Sequence, residues 1–126
     1  LARPDAPVFA MVGDGGFAHV WAELESARRL GTHLVVVVLN NEILGYQKHA
    51  ELARYDAHTD AVAFTSVDHA AVAEAAGCRG VRITDPAEFA PALEEAFART
   101  DSTTTVIDVM SDPDAHPPIT AFESKK

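Results

Sequence analysis

The sequence predicts an α/β protein of three layers, α/β/α, built around an open, doubly wound parallel sheet. Two observations carry that prediction. Apolar runs of strand length alternate with segments whose apolar residues recur at helical spacing, and the first two runs end in polar turns, Gly13–Asp14–Gly15–Gly16 and Asn40–Asn41. Strands joined through helices run parallel, which brings both turns to one edge of the sheet, the edge where open α/β sheets bind ligands.

Pro7–Val12 is an unbroken apolar run entering the glycine turn, the pattern of a strand buried on both faces. Phe17, Val20, Leu24, Ala27 and Leu30 then form a helical stripe, with Glu23, Arg28 and Arg29 off it and Gly31 as a stop. Leu34–Leu39 is the clearest strand in the chain and completes a right-handed βαβ unit. Residues 42–66 hold few apolar side chains and predict a short helix near Gln47–Arg54, then an irregular crossing loop. Asp68 is placed to cap a small helix through Ala71, Val72, Ala75 and Ala76 that Gly77 stops. Val81–Ile83 predicts a strand. Asp85–Pro86 opens a helix through Phe89, Leu93 and Phe97, and Thr104–Met110 supplies the last strand. One domain is therefore expected over residues 1–111, followed by a proline-bearing tail without regular structure over 112–126.

The two turns suggest a chemistry. Gly13, Gly15 and Gly16 keep Cβ atoms away, so backbone N–H groups can approach phosphate oxygens at a helix start. Asp14 conflicts with that role, because a carboxylate about 4 Å from a phosphate charge is opposed by roughly 4 kcal/mol at an effective dielectric near 20. A cation between the two removes the conflict. Mg2+ takes hard oxygen ligands in octahedral geometry, and the candidates here are the Asp14 carboxylate, the Asn41 amide oxygen and the Ile43 carbonyl, with diphosphate oxygens and water completing the shell. The formal charge of −9 points the same way, since an acidic chain meets a polyanion most easily through a bridging metal.

Gly13–Asp14–Gly15 followed by Asn40–Asn41 resembles the signature of the thiamine diphosphate enzymes, a GDG and an NN separated by about twenty-five to thirty residues. Val12–Phe17, Glu23–Leu24, Leu39–Glu42, Leu44–Tyr46, Arg54–Tyr55 and His58–Thr59 are similar to the acetolactate synthase (acetohydroxyacid synthase) branch. The resemblance implies the thiamine diphosphate-binding fold and its pyrophosphate-binding domain. It implies that Asp14, Asn41 and Ile43 hold Mg2+, that Gly15 and Gly16 touch the diphosphate beside Gly13, and that Leu44, Gly45 and Tyr46 lie along the thiazolium. The activity implied is decarboxylation of a 2-oxo acid such as pyruvate and transfer of its two-carbon unit to a second 2-oxo acid, the cofactor carrying the covalent chemistry. No residue of this chain receives a catalytic role, because the family's activating glutamate lies on a pyrimidine-binding domain, usually of a partner subunit. The family's domain normally begins with a further strand upstream, so the chain is expected to be part of a larger protein that is a homodimer or tetramer when intact. FAD, which some acetolactate synthases carry, is left open by the resemblance.

At 48% hydrophobic and 23% charged, the composition is that of a globular domain. A single cysteine, Cys78, excludes a disulfide framework and is expected as a small buried residue; no apolar run is long enough for a membrane span. The acidic balance offers no footprint for nucleic acid or an anionic membrane, and a cytoplasmic location is expected. The histidines at 19, 33, 49, 58, 69 and 116 show no metal-ligand spacing and are expected as polar surface residues, with His49 and His58 in the loop beyond the asparagine pair. Phe17 and Trp21 are expected in the core, and Asn40 at the strand end as a cap or a partner of the glycine turn. Two other readings stay open. Gly13, Gly15 and Ala18 satisfy a loose dinucleotide fingerprint with Glu42 near a ribose, against which stand Asp14 and the asparagines at the strand tip; the fold could also serve a non-catalytic assembly module.

Overall fold

The computed structural model describes residues 6–115, so residues 116–126 of the expected tail, His116 included, lie outside the described residues. Four strands, β1 (Val8–Gly13), β2 (Leu34–Asn40), β3 (Arg79–Ile83) and β4 (Thr105–Met110), form one parallel sheet in the order β1-β2-β4-β3. Gly13 pairs in register with Leu39, and Asn40 with Met110, so the glycine turn and the asparagine pair leave neighbouring strands at the same edge.

The helices are α1 (Asp14–Ala18), α2 (Glu23–Arg29), α3 (Gly45–Tyr55), α4 (His69–Ala75) and α5 (Phe89–Ala98). The strand period of two splits the valine run of β2 between two cores. Val36 and Val38 pack with Phe17, Leu24, Ala73 and Cys78 beneath α1, α2 and α4. Val35 and Val37 pack with Ile83, Ala96 and Ile107 beneath α5. The three-layer α/β/α expectation therefore holds, with β2 and β4 in the middle of the sheet. Gly31 and Gly77 stop α2 and α4 with positive φ, and the Asp68 carboxylate accepts the Ala71 N–H at 2.9 Å as the α4 cap.

Two expectations are corrected. β1 is not buried on both faces: Val8, Phe9 and Met11 are 52%, 48% and 65% exposed, because among the described residues β1 stands at the edge of the sheet and leaves the doubly covered positions to β2 and β4. The single helix expected through Phe17–Leu30 is two, broken between Ala18 and Glu23. Phe17 and Leu24 are buried as the stripe requires, yet Val20 and Leu30 are exposed. The break turns Trp21 toward the core, where its indole N–H donates to His69 Nδ1 at 3.2 Å.

Candidate functional site

A cleft of about 690 Å³ opens at the carboxyl edge of β1 and β2. Each residue expected to meet the metal or the cofactor lines it: Gly13, Asp14, Gly15 and Gly16 from the β1–α1 turn, and Asn41, Ile43, Leu44, Gly45 and Tyr46 from the β2–α3 connection. Leu39, Gln47, His49 and Ala115 complete the wall. Sequence reasoning missed Leu39, which reads as one more apolar strand residue, and Ala115, which follows Asp114, the ion-pair partner of Lys48 on α3. Lys48 holds the Asp114 carboxyl below the usual carboxylate range, by hydrogen bond first and charge second.

The three oxygen groups expected to face a metal each accept one peptide N–H. Asp14, only 5% exposed, accepts Gly15 N–H at 2.9 Å; Asn41 Oδ1 accepts Ile43 N–H at 3.3 Å; the Ile43 carbonyl accepts Gly45 N–H at 2.9 Å. Each group keeps acceptor capacity for a cation. Among the described residues the cleft wall contains no Lys or Arg, and Asp14 is its one carboxylate. A diphosphate placed there would meet no Lys or Arg among the described residues, and a cation is one source of its counter-charge. Among the described residues no group of three His, Cys, Asp or Glu side chains could hold a metal alone. A metal would therefore share protein oxygens with the anion, and an all-oxygen set of carboxylate, amide and carbonyl suits Mg2+ rather than a softer ion.

Gly15 is small for a reason the sequence did not show. A Cβ there would stand 2.9 Å from Phe64 Cε2 and 3.0 Å from Leu44 Cδ2, whereas one at Gly13 meets nothing within 4 Å. Phe64 belongs to the α3–α4 connection, which is more ordered than the irregular loop expected. Leu44 N–H donates to the Val62 carbonyl at 2.7 Å and Phe64 N–H to the Glu42 carbonyl at 2.8 Å, around an antiparallel bridge of Ile43 with Ala63. Glu42 has a φ of 57°, a left-handed conformation held between those bonds. Asn40 is buried and donates through Nδ2 to the Val67 carbonyl at 3.0 Å, which ties the strand end to this loop and not to the glycine turn. His69 corrects the expectation of surface histidines: it is 3% exposed, accepts the Trp21 bond and meets the Phe17 ring edge-on at 5.5 Å. Its place one turn before Ala73 on the buried face of α4 was the available signal. His58 is exposed and does not line the cleft.

The fold and this edge define a thiamine pyrophosphate (diphosphate)-binding domain: the family described as thiamine pyrophosphate enzyme, C-terminal TPP binding domain, matches residues 1–109, and the chain belongs to it. Among its relatives, the protein YdaP of Bacillus subtilis (strain 168) is 36% identical over 111 residues, covering 87% of this chain and 19% of YdaP. The acetolactate synthase large subunit IlvG of Mycobacterium tuberculosis (strain ATCC 25618 / H37Rv) is 35% identical over 113 residues, covering 90% of this chain and 20% of IlvG. The solved structure of Rhodococcus jostii RHA1 thiamine diphosphate-dependent 4-hydroxybenzoylformate decarboxylase superposes with a TM-score of 0.81 at 26% identity, over 88% of this chain and 21% of that one. The chain thus spans about a fifth of the length of the relatives it matches. The dinucleotide reading falls with this membership; Glu42 lies past the strand, whose tip is Asn40 engaged with Val67.

Proposed function

We propose that the chain binds thiamine diphosphate through Mg2+, as part of a 2-oxo-acid decarboxylating carboligase of acetolactate synthase type. The observation that carries the metal reading is a glycine-walled cleft that has, among the described residues, one buried carboxylate and no Lys or Arg. Asp14, the Asn41 amide oxygen and the Ile43 carbonyl would hold the metal, and the turn Gly13–Gly16 would face the diphosphate. Leu44, Gly45 and Tyr46 would border the thiazolium, with Leu39 and Ile43 helping to keep that end of the cleft dry. Thiamine diphosphate supplies the electron sink for breaking a carbon–carboxylate bond; this chain binds, orients and desolvates.

The similarity to IlvG favours the carboligase. A simple 2-oxo-acid decarboxylase is the second reading, favoured by the likeness to the Rhodococcus structure. Either belongs to a larger assembly in which a pyrimidine-binding domain, of the same or a second subunit, completes the site, with small 2-oxo acids as substrates and a homodimer or tetramer as the working form. A cytoplasmic location belongs to the same reading, which leaves FAD open; among the described residues no helix is long and apolar enough to cross a membrane.

Calorimetric titration of thiamine diphosphate with Mg2+, then with EDTA, tests the site. Binding is expected only with the metal, is expected to disappear in Asp14→Ala while the sheet stays folded, and is not expected for NADH. Metal-independent NADH binding would overturn the assignment. Products formed from pyruvate by the protein expressed from its full coding sequence separate the two activities: acetolactate for the carboligase, free acetaldehyde for the decarboxylase.

A further inference from the structure

The cleft wall is braced from behind by a cluster that does not line it. Segment 62–68 touches the site at several points: Val62 and Phe64 hydrogen-bond Leu44 and Glu42, Phe64 fills the space beside Gly15, and Val67 accepts Asn40. Its far end is fastened to β3 and β4. Arg82 Nη1 donates to Asp108 Oδ2 at 2.9 Å and to the Val67 carbonyl at 3.2 Å, and lies 3.8 Å from Asp68 Oδ1, while Nη2 meets Met110 Sδ at 2.9 Å. Asp108 Oδ2 also accepts His69 N–H at 3.0 Å, at the start of α4. The Val67 carbonyl therefore receives two donors, one from the ion pair and one from the asparagine motif.

Asp108 has no solvent exposure, and its Oδ1 has no hydrogen-bond partner among the described residues. Burying such a carboxylate is unfavourable, and pairing it with a cation seldom stabilises a fold beyond what apolar packing would achieve. A fixed fork of donors does give geometry: Arg82 and Asp108 face each other in register on adjacent strands, so the guanidinium presents Nη1 to Val67 from a rigid base.

We propose that Arg82 and Asp108 are positioning residues of the diphosphate and metal site. Through the Val67 carbonyl and segment 62–68 they fix Asn40 and the Asn41–Leu44 connection, which carries two of the three oxygen donors. Neither side chain reaches the ligand. This inference rests on the reading of the cleft as a Mg2+–thiamine diphosphate site.

The test uses the protein expressed from its full coding sequence and reads the thiamine diphosphate Kd at saturating Mg2+ beside the thermal midpoint. The variants are Arg82→Lys, Arg82→Met, Asn40→Ala, the double variant Arg82→Met with Asn40→Ala, and Arg79→Met as control, since Arg79 pairs with Glu95 of α5 at 2.8 Å and has no link to segment 62–68. Arg82→Lys keeps a cation beside Asp108, so the fold survives even if Arg82→Met unfolds. Both Arg82 variants that fold are expected to weaken cofactor affinity about tenfold or more. Arg79→Met should leave Kd unchanged whatever it does to the midpoint. The losses from Arg82→Met and Asn40→Ala should be less than additive, because both release the same carbonyl. Arg82→Lys with a lowered midpoint and parental Kd, or full additivity in the double variant, would overturn the inference while leaving the site intact. Absence of metal-dependent binding in the parent would remove the site reading and this inference together.

Discussion

Gly15 and Gly13 flank the buried carboxylate, and their surroundings separate two reasons for a glycine. Around Gly15 the Phe64 ring and the Leu44 side chain occupy the space a Cβ needs, at 2.9 and 3.0 Å. Around Gly13 the space is open, and its φ of −77° with ψ of 157° suits any residue. Gly15→Ala is therefore expected to destabilise by about 1–3 kcal/mol, as overpacking does, and to push Leu44 and Phe64 into the cleft. Gly13→Ala is expected to stay within about 0.5 kcal/mol of the parent in stability. Gly13 lines the cleft, so diphosphate affinity is expected to fall although the fold does not. Urea unfolding beside cofactor titration checks both; equal destabilisation by the two substitutions would show that Phe64 yields freely and does not pack as a wall.

The join between α4 and β3 is tight. A Cβ on Gly80 would fall 2.1 Å from the Ala70 carbonyl oxygen, a backbone atom on a helix that the Asp68 cap and the Asp108 bond to His69 hold in place. Gly80→Ala should lower stability by roughly 3 kcal/mol or more, the upper end for a forced contact, visible as a shift of the urea midpoint. That demand was invisible in the sequence, where Gly80 is one glycine in a short strand. The strands themselves were legible, since Leu34–Leu39 and Thr104–Met110 carry their own apolar signal. What an apolar run does not encode is its place in the sheet, so β1 read as buried although only one neighbour covers it. The broken α1–α2 helix was misread because Val20 and Leu30 keep helical spacing without being buried; the deciding contact, Trp21 with His69, joins residues 48 apart. The same division runs through the site. Residues at the ends of adjacent strands were legible as a local motif, whereas Phe64, Val67, Arg82 and Asp108 enter through register and packing that no short window contains.

The chain as a whole combines a formal charge of −9 with an apolar edge. Val8, Phe9 and Met11 stand open on β1, the Phe97 ring lies 6.1 Å from that of Phe9, and Leu39 is 41% exposed beside them. Among the described residues β1 pairs only with β2, so its other edge presents unpaired N–H and C=O groups, a template for a further strand. The two features act in opposite directions on self-association. Repulsion between like-charged copies is strong at low ionic strength and largely screened beyond about 10 Å at 0.1 M salt, whereas apolar burial does not weaken with moderate salt. The chain by itself is therefore expected to associate with rising concentration, and more at 0.5 M than at 0.05 M salt, in sedimentation runs. Met11→Lys, at a position 65% exposed, should abolish the association without lowering the unfolding midpoint, because a charge on an edge strand discourages pairing while leaving the two cores untouched. Association that weakens with salt, or that survives Met11→Lys, would place the contact on the charged helical faces and leave β1 as a solvated edge.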